Sequence, residues 1–205
     1  MIKMKWLFDR LLKPRYEVQM AHKLYDWAVS HARQPLFYNE YGLADTKAVR
    51  FEFLTLIVCL MVLRLRQENS EQSKDTAQAL FDVYFAALDN MMREDGVGDL
   101  TVPKKMKKAA ALIYTRLGKW DALLIDSEAK DNSHERIITL LDTVYTKPEI
   151  IGEEIVEIDP SAQSSSYGQA AKFNVHLSLI WKGLIVSDLM KGVAPEIDIQ
   201  VLKKA

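Results

Sequence analysis

Apolar residues along this chain recur every three or four positions in long blocks, the repeat of helices that bury one face. Ala21, Leu24, Tyr25, Ala28 and Ala32 make the first block, set between Pro14 and Pro35, and predict an amphipathic helix. An aromatic connection follows from Pro35 to Ala44, carrying Phe37, Tyr38, Tyr41 and Gly42. Asp45 or Thr46 then suits the cap of a long helix reaching about Gln67, because a short oxygen-bearing side chain can accept from the first free backbone N–H groups. The middle of that helix, Phe53 to Leu63, is apolar all round apart from Thr55, which places it at the centre of a fold. Arg64 and Arg66 close the run short of the ~18 apolar residues a membrane-spanning helix needs.

Beyond a polar stretch, Glu68 to Lys74, a third stripe runs through Ala77, Leu80, Phe81, Tyr84, Leu88 and Met91 and predicts a helix ending near Glu94, stopped by Asp95 and Gly96. Thr101 and Pro103 then start a fourth helix, since proline's fixed φ suits a first turn. Its apolar stripe is Met106, Ala109, Ala110, Ile113, Leu117, Trp120 and Leu124, and Lys104, Lys108, Thr115 and Lys119 fall on the opposite, solvated side. Ile137, Ile138, Leu141 and Val144 indicate a fifth helix over 133–145, ended by Pro148. An acidic stretch (Glu149, Glu153, Glu154, Glu157, Asp159) and a serine-rich connection, Ser161 to Gly168, come next. From Ala170 to Met190 both a strand alternation and a helical repeat can be traced; the helix is favoured, closed by Gly192 and Pro195.

These elements predict an all-α, single-domain helical bundle of about five to seven helices. Residues 1–14 form a short amphipathic N-terminal segment, 15–147 the main helical domain, 148–168 the acidic and Ser-rich insertion, and 169–205 a terminal helix on the same domain plus a tail. In the first segment Trp6, Phe8, Leu11 and Leu12 stand among Lys3, Lys5, Arg10 and Lys13. Docking on the core is favoured there over a basic amphipathic helix on a membrane surface, and no secretion signal is recognised.

Composition narrows the function classes. At 49% hydrophobic and 27% charged, the chain has the apolar material for a core and no case for global disorder. Its 27 Lys+Arg against 28 Asp+Glu remove any whole-protein argument for nucleic acid, so DNA is not an expected partner and polar recognition must come from local patches. Cys59 is the single cysteine, which excludes an intrachain disulfide framework and a thiolate zinc cluster and suits a reducing compartment.

Catalytic chemistry finds little support. His22, His31, His134 and His176 are scattered, and His22 with Asp26 reads as a surface pair, so neither a metal nor another cofactor is expected. Cys59 lies in the most apolar helix, where its thiolate would be disfavoured. Gly96-Val97-Gly98 follows no strand and lacks both the third glycine of a dinucleotide loop and a Gly-Lys-Ser/Thr ending, so it reads as a turn between helices. Among Asp82, Asp89 and Glu94, Asp89 stands four residues before Arg93, the favoured order for a helical ion pair and not for acid chemistry. Lys104, Lys105, Lys107, Lys108, Arg116 and Lys119 form the one concentrated basic region, with no acid between Leu100 and Trp120. It is either a solvated face or a docking surface, and a ribosome- or RNA-binding module that uses it is the alternative function.

One set of residues carries a resemblance: Asp45-Thr46, Arg50-Phe51, Arg64-Leu65, Gln78-Ala79-Leu80-Phe81-Asp82, Asp89, Arg93-Glu94 and Gly96-Val97-Gly98-Asp99-Leu100-Thr101-Val102-Pro103-Lys104. Over about Tyr25 to Leu124 the chain resembles the ubiquinol-cytochrome c chaperone family. That resemblance implies a bacterial relative of the mitochondrial assembly factors for respiratory complex III, which associate with newly made cytochrome b and, in mitochondria, with ribosomes. It implies no enzyme chemistry. The implied protein is cytoplasmic or peripheral to the inner membrane, with cytochrome b as client and a ribosome or the membrane surface as further contacts. The chain departs from the family at Thr115, where glycine is common, and near Ile57, where histidine is usual. An apolar client needs an apolar grip with a polar rim, and the candidate partner-binding residues are Met91, Met92, Arg93, Glu94, Asp99, Lys104, Lys107, Lys108 and Tyr114.

Overall fold

The computed structural model describes residues 15–68, 70–127, 180 and 183–196. Outside them lie the amphipathic segment 1–14, the helix expected over 133–145, the insertion 148–168, His134, His176 and the tail beyond Glu196. Among the described residues the ordered elements are all helices: α1 Tyr16–Ala32, α2 Pro35–Asn39, α3 Lys47–Gln67, α4 Glu71–Glu94, α5 Val102–Ser127 and α6 Val186–Leu189.

The stripe on α1 buries Met20, Ala21, Leu24, Ala28, His31 and Ala32. His31 stacks on Trp27 with ring centroids 4.6 Å apart, so the imidazole packs as an aromatic plate. The aromatic connection that follows is partly helical, because Pro35 occupies the first turn of α2 and needs no N–H there. Phe37 drops from α2 into the core and meets Phe53 of α3 edge to face at 4.6 Å, while the Tyr38 hydroxyl donates to the Ala32 carbonyl at 2.5 Å.

Thr46 caps α3, its hydroxyl accepting from the Val49 N–H at 3.2 Å. Nearly every side chain from Phe53 to Leu65 is buried, as a helix apolar all round requires. α4 starts inside the stretch expected to be polar connection, because the Ser70 hydroxyl accepts from the Ser73 N–H at 3.1 Å and caps it. Thr55, midway along α3, meets Tyr84, midway along α4, so these two helices run antiparallel across their short connection. α4 packs most extensively on α1 and then on α3, and α5 lies across α4 and α3.

The C-terminal segment joins the same core through Ile180, Leu184 and Leu189. Ile180, Gly183 and Val186 to Leu189 are helical, but the single helix expected through Met190 is broken at Leu184 and Ile185. Arg64 Nε takes the Leu184 carbonyl at 2.9 Å, and Ile185 adopts extended backbone (ψ 122°) before α6 begins. At Gly192 (φ +69°) the chain turns tightly over α1, where an added Cβ would come within 2.9 Å of Lys23 Cδ.

Candidate functional site

The corner between α4 and α5 holds most of the residues singled out in the sequence. α4 ends in a Schellman arrangement: the Val97 N–H bonds the Met92 carbonyl at 3.0 Å and the Gly96 N–H bonds the Arg93 carbonyl at 3.0 Å. Gly96 takes φ +81°, a conformation costly for a residue with a side chain. The hydrophobic contact that accompanies such a turn is present, since Val97 packs on a small cluster of Met92, Val102 and Ala109. The double-glycine segment is thus a helix terminator, as its sequence suggests.

This turn separates the two methionines. Met92 is buried under Val97 and serves the core of the corner, which removes it from the candidate contact set. Met91, which the apolar stripe placed on the buried face, is instead 44% exposed, because Met92, four residues after Leu88, takes the buried position; Leu100, in the loop, is 97% exposed. Leaving a leucine in water forgoes about 1.5–3 kcal/mol of burial.

Charges clip the corner in place. Arg93 Nε donates to Asp89 Oδ2 at 2.6 Å and its Nη1 to Asp99 Oδ1 at 2.5 Å, tying α4 to the loop. Lys47, at the start of α3, donates to Asp95 at 3.0 Å. Both sets lie at the surface, and Glu94 is exposed beside them. The carboxylates near Arg93 therefore neutralise a cation. Nearby, Arg50 holds the Asp45 carboxyl below its ordinary pKa by hydrogen bonding at 2.5 Å.

Farther along α5, Tyr114 is 51% exposed and continues an aromatic seam with Phe81 and Phe85 of α4, at centroid distances of 5.9 and 6.2 Å. Lys104, Lys107 and Lys108 are exposed on the outer side of α5, as the periodicity requires. Arg116 departs from the expected basic face. It is buried and donates through Nη1 to Oε2 of Glu52 on α3. The reason is helical phase: Arg116 stands three residues after Ile113 and four before Trp120, on the buried arc.

Glu52 and Arg116 are the structural residues the sequence reading missed. Their signal was present, because Glu52 falls three after Val49 and four before Leu56, so that each member of the pair interrupts an apolar repeat with a charge. Close by, Thr55 Oγ1 donates to the Phe51 carbonyl at 2.7 Å and pairs with the Tyr84 hydroxyl at 2.6 Å. Burial raises the Tyr84 hydroxyl well above its ordinary pKa and pushes the Cys59 thiol up as well, so both stay protonated. Among the described residues no group of His, Cys, Asp or Glu is arranged to hold a metal, and no helix is long and apolar enough to cross a membrane.

The family model described as ubiquinol-cytochrome C chaperone matches residues 39–134, a stretch that contains α3, α4, α5 and the whole corner. The crystal structure of the Cbp3 homolog from Brucella abortus is similar with a TM-score of 0.69 and 26% sequence identity, covering 96% of this chain and 98% of that one. No curated protein matches. Helices, corner and matched residues agree in supporting the ubiquinol-cytochrome c chaperone family for this chain.

Proposed function

We propose that this protein is an assembly chaperone that holds newly made cytochrome b during biogenesis of ubiquinol-cytochrome c reductase, binding its client without turning over a substrate. The observation that carries this reading is the exposure of Leu100 and Met91 at the α4–α5 corner, which also carries the ion pairs of Arg93 with Asp89 and Asp99. Apolar side chains there supply affinity for an unfinished membrane polypeptide by burial, and the rim supplies orientation. Tyr114 and the half-buried Phe85 extend the apolar surface along the α4–α5 seam. The contact set proposed for the client is Met91, Leu100 and Tyr114, with Arg93, Glu94 and Asp99 as its rim.

Crosslinking of the tagged protein in growing cells tests this directly. Cytochrome b is expected among the attached chains, and Leu100→Asp combined with Met91→Asp should abolish its recovery while leaving the thermal unfolding midpoint unchanged. Recovery of cytochrome b at wild-type level by that folded double variant overturns the assignment of the site, and absence of cytochrome b from the wild-type crosslinks overturns the assignment of the client.

A further inference from the structure

Elsewhere on the described surface several cations are matched with a nearby carboxylate, among them Lys47 with Asp95, Arg50 with Asp45, and Arg93 with Asp89 and Asp99. The outer face of α5 departs from that pattern. Lys104, Lys107, Lys108 and Lys119 are all exposed, and none makes an ion pair among the described residues. At 100° per residue these four ammonium groups fall within about 120° of the helix circumference and extend over roughly 20 Å of its length. No acid lies between Leu100 and Trp120 to interrupt them. At one edge of the strip stands Tyr114, half exposed and braced from behind by Phe81 and Phe85.

We infer that this strip of α5 docks on a bilayer surface rich in anionic lipid headgroups. Flexible lysine side chains suit a diffuse layer of negative charge, and a tyrosine with an apolar ring and a polar tip suits the headgroup level. A straight one-sign strip with a single flanking aromatic matches a planar surface. It does not match a nucleic-acid strand, for which aromatics interleaved with the cations would offer stacking platforms. The inference shares Tyr114 with the client surface proposed above, and its test reads lipid alone. If both hold, the same helix that settles on the membrane begins at the corner where Leu100 projects, and the apolar tip is delivered to the place where a membrane polypeptide emerges.

The test uses the full chain and vesicles of phosphatidylcholine with or without phosphatidylglycerol, read by flotation. Binding is expected with the acidic vesicles only, and is expected to be lost in high salt as the charges are screened. Lys104→Gln, Lys107→Gln and Lys108→Gln together should lower the apparent affinity on the order of 100-fold with the unfolding midpoint unchanged, from the attraction typical of each lysine near an anionic surface. Tyr114→Ala should weaken binding several-fold at low salt without altering its dependence on lipid charge. Equal binding to neutral and acidic vesicles, or undiminished binding by the folded triple variant, overturns the inference. So does binding of the wild-type chain to mixed-sequence RNA without binding to acidic vesicles, which would reassign the strip to nucleic acid.

Discussion

Two arginines, Arg116 and Arg93, each pair with carboxylates, and the contrast between their settings separates what holds this protein together from the proposed client site. Arg116 meets Glu52 where both side chains are almost wholly shielded from water, joining α5 to α3 across the centre of the bundle. Arg93 meets Asp89 and Asp99 at the surface of the α4–α5 corner. In the core, removing one partner strands a charge that water cannot reach. At the corner, water replaces a lost partner, and the pair contributes orientation more than free energy. The ion pairs of the corner can therefore exchange with water at little cost, while the Glu52–Arg116 contact holds α5 in its place on α3.

The sharpest way to break this comparison is Glu52→Ala, which should destabilise the fold by about 3–5 kcal/mol, measured by chemical denaturation. The same variant should expose Cys59 to thiol reagents that do not label the native protein, since that side chain is fully buried. Glu52→Leu combined with Arg116→Met should recover most of the loss, because matched apolar groups leave no buried charge behind. A double variant as unstable as the single would show that the pair contributes more than its own neutralisation.

Tyr84→Phe lies between the two extremes. Thr55 keeps its bond to the Phe51 carbonyl when the tyrosine hydroxyl is gone, so the expected cost is about 1 kcal/mol. Arg93→Ala should leave the unfolding midpoint where it was, and a large drop would move the corner into the same class as the core.

The smallest effect is expected at Asp45. Its carboxyl is held below the ordinary value by Arg50, so the folded state binds a proton there less readily than the unfolded chain. The stabilisation is complete above the ordinary carboxylate value of 3.8 and is lost as pH falls through the lowered folded value. Asp45→Asn should lower stability slightly at neutral pH and flatten the acid limb of the profile, the difference from the wild type vanishing as pH falls through the lowered folded value.

Much of the site was legible along the chain. Asp89 and Arg93 pair as their four-residue spacing requires, Gly96 ends α4, and the outer lysines of α5 lie opposite Ile113 and Trp120. These are consequences of one helix's own geometry, which spacing alone specifies. Met91 and Met92 were not separable in this way, because a turn that begins two residues later decides which one is covered by Val97. The break before α6 depends in the same way on a distant donor, the Arg64 guanidinium.

From the order of residues alone came the long helices, the Thr46 cap and most of the buried faces, because each rests on interactions within a few positions of the chain. The placement of Arg116 against Glu52, the exposure of Leu100 and Met91 and the seating of Tyr114 on Phe81 and Phe85 were decided by the packing of α3, α4 and α5. Burial is a property of what lies across the interface, and no periodicity within one helix records which residue of another helix will arrive there.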